Sequence, residues 1–108
     1  MDNIIKYVDL SLKNPVILNI NSECIFKFVE NKTGFSMSDI RGRVRKQDLV
    51  FARALFCYIA IENTNYVYSQ IMRLINKDRS NIYNYINIIF WQEKEKLHNL
   101  NEQFKTQT

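Results

Sequence analysis

The sequence predicts an all-α fold, a compact multi-helix domain that contains a helix-turn-helix. The first observation is that the 108 residues include two glycines and one proline, which leaves long runs without helix breakers. The second is the spacing of apolar residues within 66–91, where Ile71, Leu74 and Ile75 follow the i, i+3, i+4 pattern of a helix face. With 46% hydrophobic residues, a chain of this length can bury a single core, so one domain is expected.

The N-terminal third is expected to supply an arm and a first core helix. Residues 1–21 are rich in apolar side chains and are predicted to form an arm or helix that packs on the core, with Asn14-Pro15 as a plausible helix start. Dense apolar residues continue to about residue 31. Gly34 should end this part of the chain, because glycine just past a helix accommodates the left-handed cap.

A short helix and a basic run should lead into the central helix. Ser36 or Ser38 is predicted to cap the short helix. The run RGRVRK at 41–46 follows, loosened by Gly42. The segment 46–63 is hydrophobic around most of the circumference of a helix, which predicts the central element of the core.

The predicted helix-turn-helix occupies residues 66–91. Asn76 interrupts the apolar pattern and can adopt a left-handed turn conformation without glycine. Asp78 or Ser80 is expected to cap the second helix. The inner face of that helix would comprise Ile82, Tyr85, Ile86 and Ile89, and its outer face would begin with Arg79, Ser80, Asn81, Tyr83 and Asn84. Polar side chains at the exposed start of such a helix are typical of DNA-reading proteins.

The C-terminal segment 92–108 is predicted to be a helical extension and tail. Leu97, Leu100 and Phe104 continue a 3–4 spacing from Ile86 and from Ile89 or Phe90, so the last helix is expected to run on to about residue 104.

Charge is unevenly distributed along the chain. Between residues 41 and 79 there are eight basic and three acidic residues, so this segment carries a formal charge of +5. The whole chain carries +4, and the residues outside the segment therefore sum to −1. A positive face on a nearly neutral body indicates a polyanionic partner.

The residue inventory argues against several other functions. Cys24 and Cys57 lack a CxxC spacing and are expected to be buried free thiols, and His98 has no evident partner. No metal site, cofactor or catalytic set is therefore predicted, and an enzyme is the weakest candidate. Apolar runs fall short of the roughly 18 residues of a membrane span, and no signal peptide is evident, so a cytoplasmic, nucleoid-associated protein is expected.

Two groups of side chains have the chemistry to contact a duplex. Arginines on the loop 41–46 suit the phosphate backbone or a narrow minor groove. At the start of the second helix, Arg79 can bond guanine, Asn81 or Asn84 can bond adenine, and Ser80 can contact a base or a phosphate. Basic side chains elsewhere on this face would position the protein on phosphates without specifying sequence.

These same residues carry a resemblance to a known family. RKQDLVFARALFCYIA (45–60) and YSQIMRLINKDRSNIYNYI (68–86) resemble the C-terminal DNA-binding domain of the bacterial replication initiator DnaA. ARAL at 52–55 looks like its Ala/Pro-Arg-Gln-apolar helix, IMR at 71–73 like its apolar-Gly-Arg helix, and KDRSNI at 77–82 like the signature that opens its recognition helix. TGFSMSDIRGR (33–43) is similar to its short helix and basic loop. The resemblance covers roughly residues 22–90.

The resemblance implies a role for each matched position. Arg45 falls where the family places its minor-groove arginine and Arg53 where it places a backbone contact. Asp78, Arg79, Ser80 and Asn81 fall on the family's base-reading residues. Together with the side chains chosen for their chemistry, the expected base-reading residues are Arg45, Asp78, Arg79, Ser80, Asn81 and Asn84, and the expected backbone contacts are Arg41, Arg43, Lys46, Arg53, Arg73 and Lys77.

Three positions depart from the family pattern. Arg79 replaces a histidine, Asn81 replaces a threonine, and Met72 replaces a glycine, so binding to the family's standard box sequence is not predicted. The sequence has no GxxxxGK[ST] motif, and we therefore expect a regulator or replication-related factor without ATPase activity.

Two alternatives remain at this point. The stretch 66–91 could be an αα-hairpin without a ligand. Alternatively, the apolar stripe within 86–104 could bind a second copy or another protein. A monomer or weak homodimer on double-stranded DNA is expected, since the resemblance implies a monomer on an asymmetric site, whereas helix-turn-helix proteins often dimerise.

Overall fold

A computed structural model of the protein describes residues 21–107, so the expected N-terminal arm and the Asn14-Pro15 helix start lie outside the described residues. Within these residues the chain forms helices joined by short connections, without strands, and the all-α prediction is confirmed. The helices are α1 (Ser22–Thr33), α2 (Met37–Arg41), α3 (Gln47–Asn63), α4 (Tyr68–Leu74), α5 and α6 (Lys94–Gln107). Helix α5 begins as Asn81–Asn84, continues through a π-helical turn, Tyr85–Ile89, and ends as Phe90–Gln92.

A glycine ends the first helix and a side-chain cap begins the second. Gly34 ends α1 in the left-handed conformation, with φ of 84°, and its N–H donates to the Glu30 carbonyl oxygen at 2.8 Å. Ser36 then begins α2 in a reciprocal arrangement: its Oγ accepts from the Asp39 N–H at 3.2 Å, and its own N–H donates to Asp39 Oδ2 at 3.0 Å. The predicted stop at Gly34 and the predicted cap at Ser36 are both confirmed.

Helix α3 is the centre of the core, as its hydrophobic sequence predicts. Its buried residues lie on all sides of the helix, from Leu49 to Ala60, and α1, α2, α4, α5 and α6 pack around it. Phe56 is fully buried, and its ring centroid lies 4.4 Å from that of Phe26 on α1. The two ends of this central helix therefore position the loops that precede and follow it.

The π-helical turn of α5 adjusts how the end of this helix meets the core. The Phe90 N–H donates to the carbonyl oxygen of Tyr85, five residues earlier. Such a turn accommodates one extra residue and changes the register of the helical residues beyond it. Phe90 consequently packs edge-on against Tyr58 of α3, with 5.2 Å between the ring centroids.

The prediction of one helix running on to residue 104 is wrong. Helix α5 ends at Gln92, and Glu93, with φ of −112° and ψ of 28°, separates it from α6. Helix α6 then packs against α3 and α1: Leu97 and Phe104 are buried, and the Phe104 ring lies 5.3 Å from that of Phe28. Burial of this apolar face against the core therefore determines the path of the chain, although no glycine or proline marks the break.

The two cysteines differ from each other. Cys57 is a buried free thiol, as predicted, and burial raises its pKa well above the ordinary value. Cys24 is a free thiol but is exposed, so its predicted burial is wrong. Cys24 lies on the solvent side of α1, whereas its neighbours Ile25 and Phe26 face the core.

Candidate nucleic-acid interface

The helix-turn-helix consists of α4, a turn at 75–80, and α5. Asn76 has a positive φ of 60°, which confirms that it supplies the left-handed residue of a turn without glycine. The Lys77 N–H donates to the Met72 carbonyl oxygen at 2.8 Å, so the turn satisfies a carbonyl group near the end of α4. Ile71 and Ile75 are fully buried and attach the first helix to the core.

Backbone carbonyls, rather than a side-chain cap, begin the second helix. The Asp78 carbonyl oxygen accepts from the Asn81 N–H at 3.0 Å, and the Arg79 carbonyl oxygen accepts from the Ile82 N–H at 3.2 Å. Ser80 has helical backbone angles and makes no capping hydrogen bond with its side chain. The predicted side-chain cap at Ser80 is therefore wrong, and the residue is exposed to solvent.

The inner and outer faces of α5 lie where the sequence predicts them. Ile82 and Tyr85 are buried, and Ile86 and Ile89 pack against the core while remaining partly exposed. The exposed side chains at the front of the helix-turn-helix are Asp78, Arg79, Ser80, Tyr83 and Asn84, with Asn81 half-buried between them. A row of polar groups at the start of a helix is thus free to meet the edges of bases.

Arg53 has a different place from the one the sequence suggests. It is 2% exposed, and its guanidinium donates to four carbonyl oxygens: Nε to Ile40 at 2.8 Å, and the terminal nitrogens to Asp39 at 3.3 Å, Gly42 at 2.9 Å and Val44 at 2.8 Å. This burial disfavours the direct backbone contact that the resemblance implies for Arg53, because four of its five N–H donors already have protein partners.

The basic loop, residues 42–46, is also tied to the turn of the helix-turn-helix. Lys77 Nζ donates to the Gly42 carbonyl oxygen at 2.6 Å, and Asn76 Nδ2 donates to the Arg41 carbonyl oxygen at 3.3 Å. The expectation that Gly42 loosens the loop is not met, because the backbone at Gly42 is held from two sides. Thirty-five residues of chain separate these partners, and the fold brings them together.

The loop and the front of α5 border a common cleft of about 520 Å³. Its walls are formed by the loop residues Arg43 and Arg45, by the turn residues Asn76, Lys77 and Asp78, by Asn81, Asn84 and Tyr85 of α5, and by Val50 and Arg53 of α3. The two polar groups that the sequence singles out thus lie on one surface. We call this surface the loop–helix cleft.

Positive charge accumulates in the loop–helix cleft. Burial lowers the pKa of Lys77, and the nearby charges of Arg53, Arg45 and Arg43 lower it further. Burial also raises the pKa of Tyr85 to about 12, with a smaller contribution from Cys57, whereas Arg53 and Arg45 act in the opposite direction. Because these positive charges lie close to Lys77, a bound anion would stabilise the protonated lysine in this cleft.

Other predicted residues do not line the loop–helix cleft. Arg79 lies in a separate, shallow hollow of about 470 Å³ with Tyr66, Val67, Tyr68 and Ser69. Arg41 and Arg73 lie together beside Tyr66, Gln70 and Leu74 in another hollow, of about 360 Å³. Lys46 is exposed at the N-terminal end of α3. The predicted residues are thus divided between the loop–helix cleft, two further hollows and the exposed start of α3.

Sequence reasoning missed two features of this surface. Asn76 and Val50 line the loop–helix cleft, yet no local pattern connects either of them to the loop. The burial of Arg53, by contrast, has a sequence signal. It lies between Ala52 and Ala54 in a helix that is apolar around most of its circumference, and a charged residue that is buried there must find internal partners.

Two other features are absent from the described residues. Within residues 21–107, no group of three or more histidine, cysteine, aspartate or glutamate side chains is placed to hold a metal ion. None of the helices in this range is long and apolar enough to cross a membrane.

Comparison with known proteins agrees with this geometry. A family model described as the bacterial dnaA protein helix-turn-helix matches residues 22–89, well over half of the chain and nearly the stretch over which the resemblance extends. No match was found among curated proteins or among solved structures. The matched range begins with α1 and includes the basic loop, the central helix and both helices of the helix-turn-helix. The chain therefore belongs to the bacterial DnaA helix-turn-helix family, a family of DNA-binding domains.

Proposed function

We propose that the protein binds double-stranded DNA sequence-specifically, with α5 in the major groove and the basic loop in the neighbouring minor groove or on the backbone. The observation that carries this proposal is the loop–helix cleft, which Arg43 and Arg45 line together with Asn81 and Asn84. A duplex that enters this surface would meet the loop and the helix at once. Membership of a DNA-binding family supports the same conclusion.

The front of α5 has the donors and acceptors needed to read bases. Asn81 and Asn84 can each bond adenine through two hydrogen bonds, and the exposed Asp78 carboxylate can accept from the amino group of cytosine. Arg79 is exposed and can form a bidentate contact with guanine, while Ser80 can bond a base or a phosphate. We propose that these five residues, with Arg45 in the minor groove, set the sequence preference.

The flanking cations are proposed to bind phosphates. Arg41, Arg43, Lys46 and Arg73 are exposed, and Lys77 is half-buried at the edge of the cleft. Contacts to phosphates fix the position of a protein on a duplex without selecting a sequence. With about five or six phosphates neutralised, the affinity should fall with salt with a log–log slope of about −5.

The alternative function was protein binding through the apolar stripe within 86–104, but part of this stripe is buried in the core. Leu97 is 0% exposed and Phe104 is 1% exposed, so both belong to the core of the protein itself. A partner could reach them only by unfolding α6. We therefore favour a monomer that recognises an asymmetric site and acts as a transcriptional or replication-related regulator associated with the nucleoid.

Selection of binding sites from random duplex, combined with a salt titration, tests the proposal. We expect enrichment of one asymmetric motif and a salt slope of about −5 on that motif. Recovery of random sequences would exclude sequence-specific binding. A failure to retain any duplex at low salt would exclude DNA binding by this chain.

A further inference from the structure

The side chain of Arg53 lies in an environment that does not suit direct contact with DNA. Its side chain leaves the central helix α3 and runs beneath the basic loop, where it is almost completely buried. Its four hydrogen bonds all go to backbone carbonyl oxygens, at Asp39, Ile40, Gly42 and Val44. All of these carbonyls belong to the end of α2 or to the basic loop.

Arg53 adds a donor to carbonyls where the helical pattern ends. Asp39 and Ile40 are in the last turn of α2, where carbonyl groups carry a partial negative charge; the Asp39 carbonyl oxygen also accepts from the Gly42 N–H at 3.1 Å, whereas the Ile40 carbonyl oxygen accepts from Arg53 Nε. Gly42 and Val44 lie in the loop, which has no regular hydrogen-bond pattern. A guanidinium presents its donors in a planar fork, so one side chain can hold several carbonyls at fixed relative positions.

A second anchor joins the same loop to the helix-turn-helix. The Gly42 carbonyl oxygen accepts from Arg53 at 2.9 Å and from Lys77 Nζ at 2.6 Å. A Cβ atom at Gly42 would lie 3.3 Å from the Asp39 carbonyl oxygen, so the loop is also packed closely against α2. The loop is thus held both by α3 and by the turn before α5.

We propose that Arg53 is a positioning residue, which orders the basic loop so that Arg43 and Arg45 face the duplex together with α5. This inference rests on the proposed DNA-binding function. It replaces the direct phosphate contact that the family resemblance suggests for Arg53. The effect of Arg53 on DNA binding then passes through the loop arginines and not through its own charge.

A double-mutant cycle separates the two roles. Dissociation constants are measured on the selected duplex for the wild type, R53K, R45A and R53K/R45A. Lysine keeps the charge but cannot hold four carbonyls in one plane. We expect R53K to weaken binding about tenfold in the wild type and less than about twofold in the R45A background, because residues that act through a shared element are not additive.

A matched control uses Arg73, which is exposed on α4 and whose side chain, within residues 21–107, donates no hydrogen bond to the basic loop. R73K and R45A should combine additively, because the two side chains would meet different phosphates or bases. Equal tenfold losses from R53K in both backgrounds would overturn the positioning role and restore a direct contact.

A measurement on the wild type without DNA keeps the proposal testable if R53K does not fold. The Arg53 Nε–H, bonded to the Ile40 carbonyl oxygen at 2.8 Å, should exchange slowly with solvent and give a distinct NMR signal near neutral pH. Rapid exchange would overturn the proposal. A wild type that selects no duplex would defeat the proposed function, whereas additive losses in a wild type that does select one would defeat only the role of Arg53.

Discussion

Lys77 Nζ lies 2.6 Å from the carbonyl oxygen of Gly42, and this hydrogen bond joins the turn of the helix-turn-helix to the basic loop. Because the two residues belong to segments that approach DNA from different grooves in the proposed complex, their contact fixes one segment relative to the other. Arg53 holds the same loop from the core side. The basic loop and the helix-turn-helix are thus already held in position relative to each other, and DNA binding need not order the loop.

Base reading by Arg79 is tested by comparison with Arg73. Arg79→Ala should reduce the affinity for the selected site by about 1–3 kcal/mol and relax the preference at one position, because a bidentate contact with guanine is lost. Arg73→Ala should weaken selected and random duplexes alike and bring the salt slope closer to zero by about 1. Equal losses on both kinds of duplex for Arg79→Ala, measured by fluorescence anisotropy, would show that Arg79 does not read a base.

The lowered pKa of Lys77 predicts a pH dependence of DNA binding. Burial and the charges of Arg53, Arg45 and Arg43 lower this pKa in the free protein, and a bound phosphate would raise it again. Binding therefore favours the protonated ammonium, and the affinity should fall as the pH rises through the lowered pKa of the free protein.

Lys77→Arg supplies the control for this titration, since a guanidinium stays charged over the same range. The variant should show a flatter dependence of log Kd on pH than the wild type. Identical slopes for the two proteins in an alkaline titration would exclude Lys77 as the linked group.

The left-handed conformation of Asn76 predicts opposite tolerance of two small substitutions. Both Asn76→Gly and Asn76→Ala remove the 3.3 Å hydrogen bond to the Arg41 carbonyl oxygen, so the difference between them isolates the backbone. The Asn76→Ala protein should be less stable than the Asn76→Gly protein by about 1 kcal/mol, because the backbone at residue 76 has a φ of 60°. Equal midpoints of urea unfolding would argue against the positive φ.

The packing of α6 predicts that Leu97 contributes to stability. Leu97→Ala should lower the free energy of unfolding by about 2–5 kcal/mol, because its side chain is fully buried in the core. Trp91→Ala is the matched control: this side chain is 74% exposed and should change stability by no more than about 0.5 kcal/mol. A Leu97→Ala protein of unchanged stability but altered oligomeric state would support the alternative that the stripe within 86–104 binds another protein or a second copy.

Local patterns were sufficient to predict most helices and the turn at Asn76. Helix faces follow from the spacing of apolar residues, and the caps at Gly34 and Ser36 follow from residue types that suit special backbone angles. The break at Glu93 could not be predicted in this way, because it is set by the burial of Leu97 against distant residues and not by a helix breaker.

Several members of the loop–helix cleft were predictable from the sequence, but Val50, Asn76 and the hydrogen bonds within the site were not. The polar outer face of α5 and the basic run follow from sequence, whereas the contact of Asn76 and Lys77 with the loop joins segments that are thirty-five residues apart. For Arg53, the resemblance implies a phosphate contact, whereas the structure buries the side chain among carbonyl oxygens of α2 and the basic loop. The alanines on either side of Arg53 are the sequence signal that could have indicated this burial.

Methylation protection on the selected duplex tests the central claim most directly, because dimethyl sulfate modifies guanine N7 in the major groove and adenine N3 in the minor groove. We predict protection in both grooves, within about half a helical turn of each other, since the loop and the start of α5 border the same cleft. Arg79→Ala should remove the protection of the guanine that Arg79 contacts in the major groove, and Arg45→Ala should remove only the minor-groove protection. Protection confined to one groove, or loss of both signals in each variant, would contradict simultaneous contact by the loop and the helix.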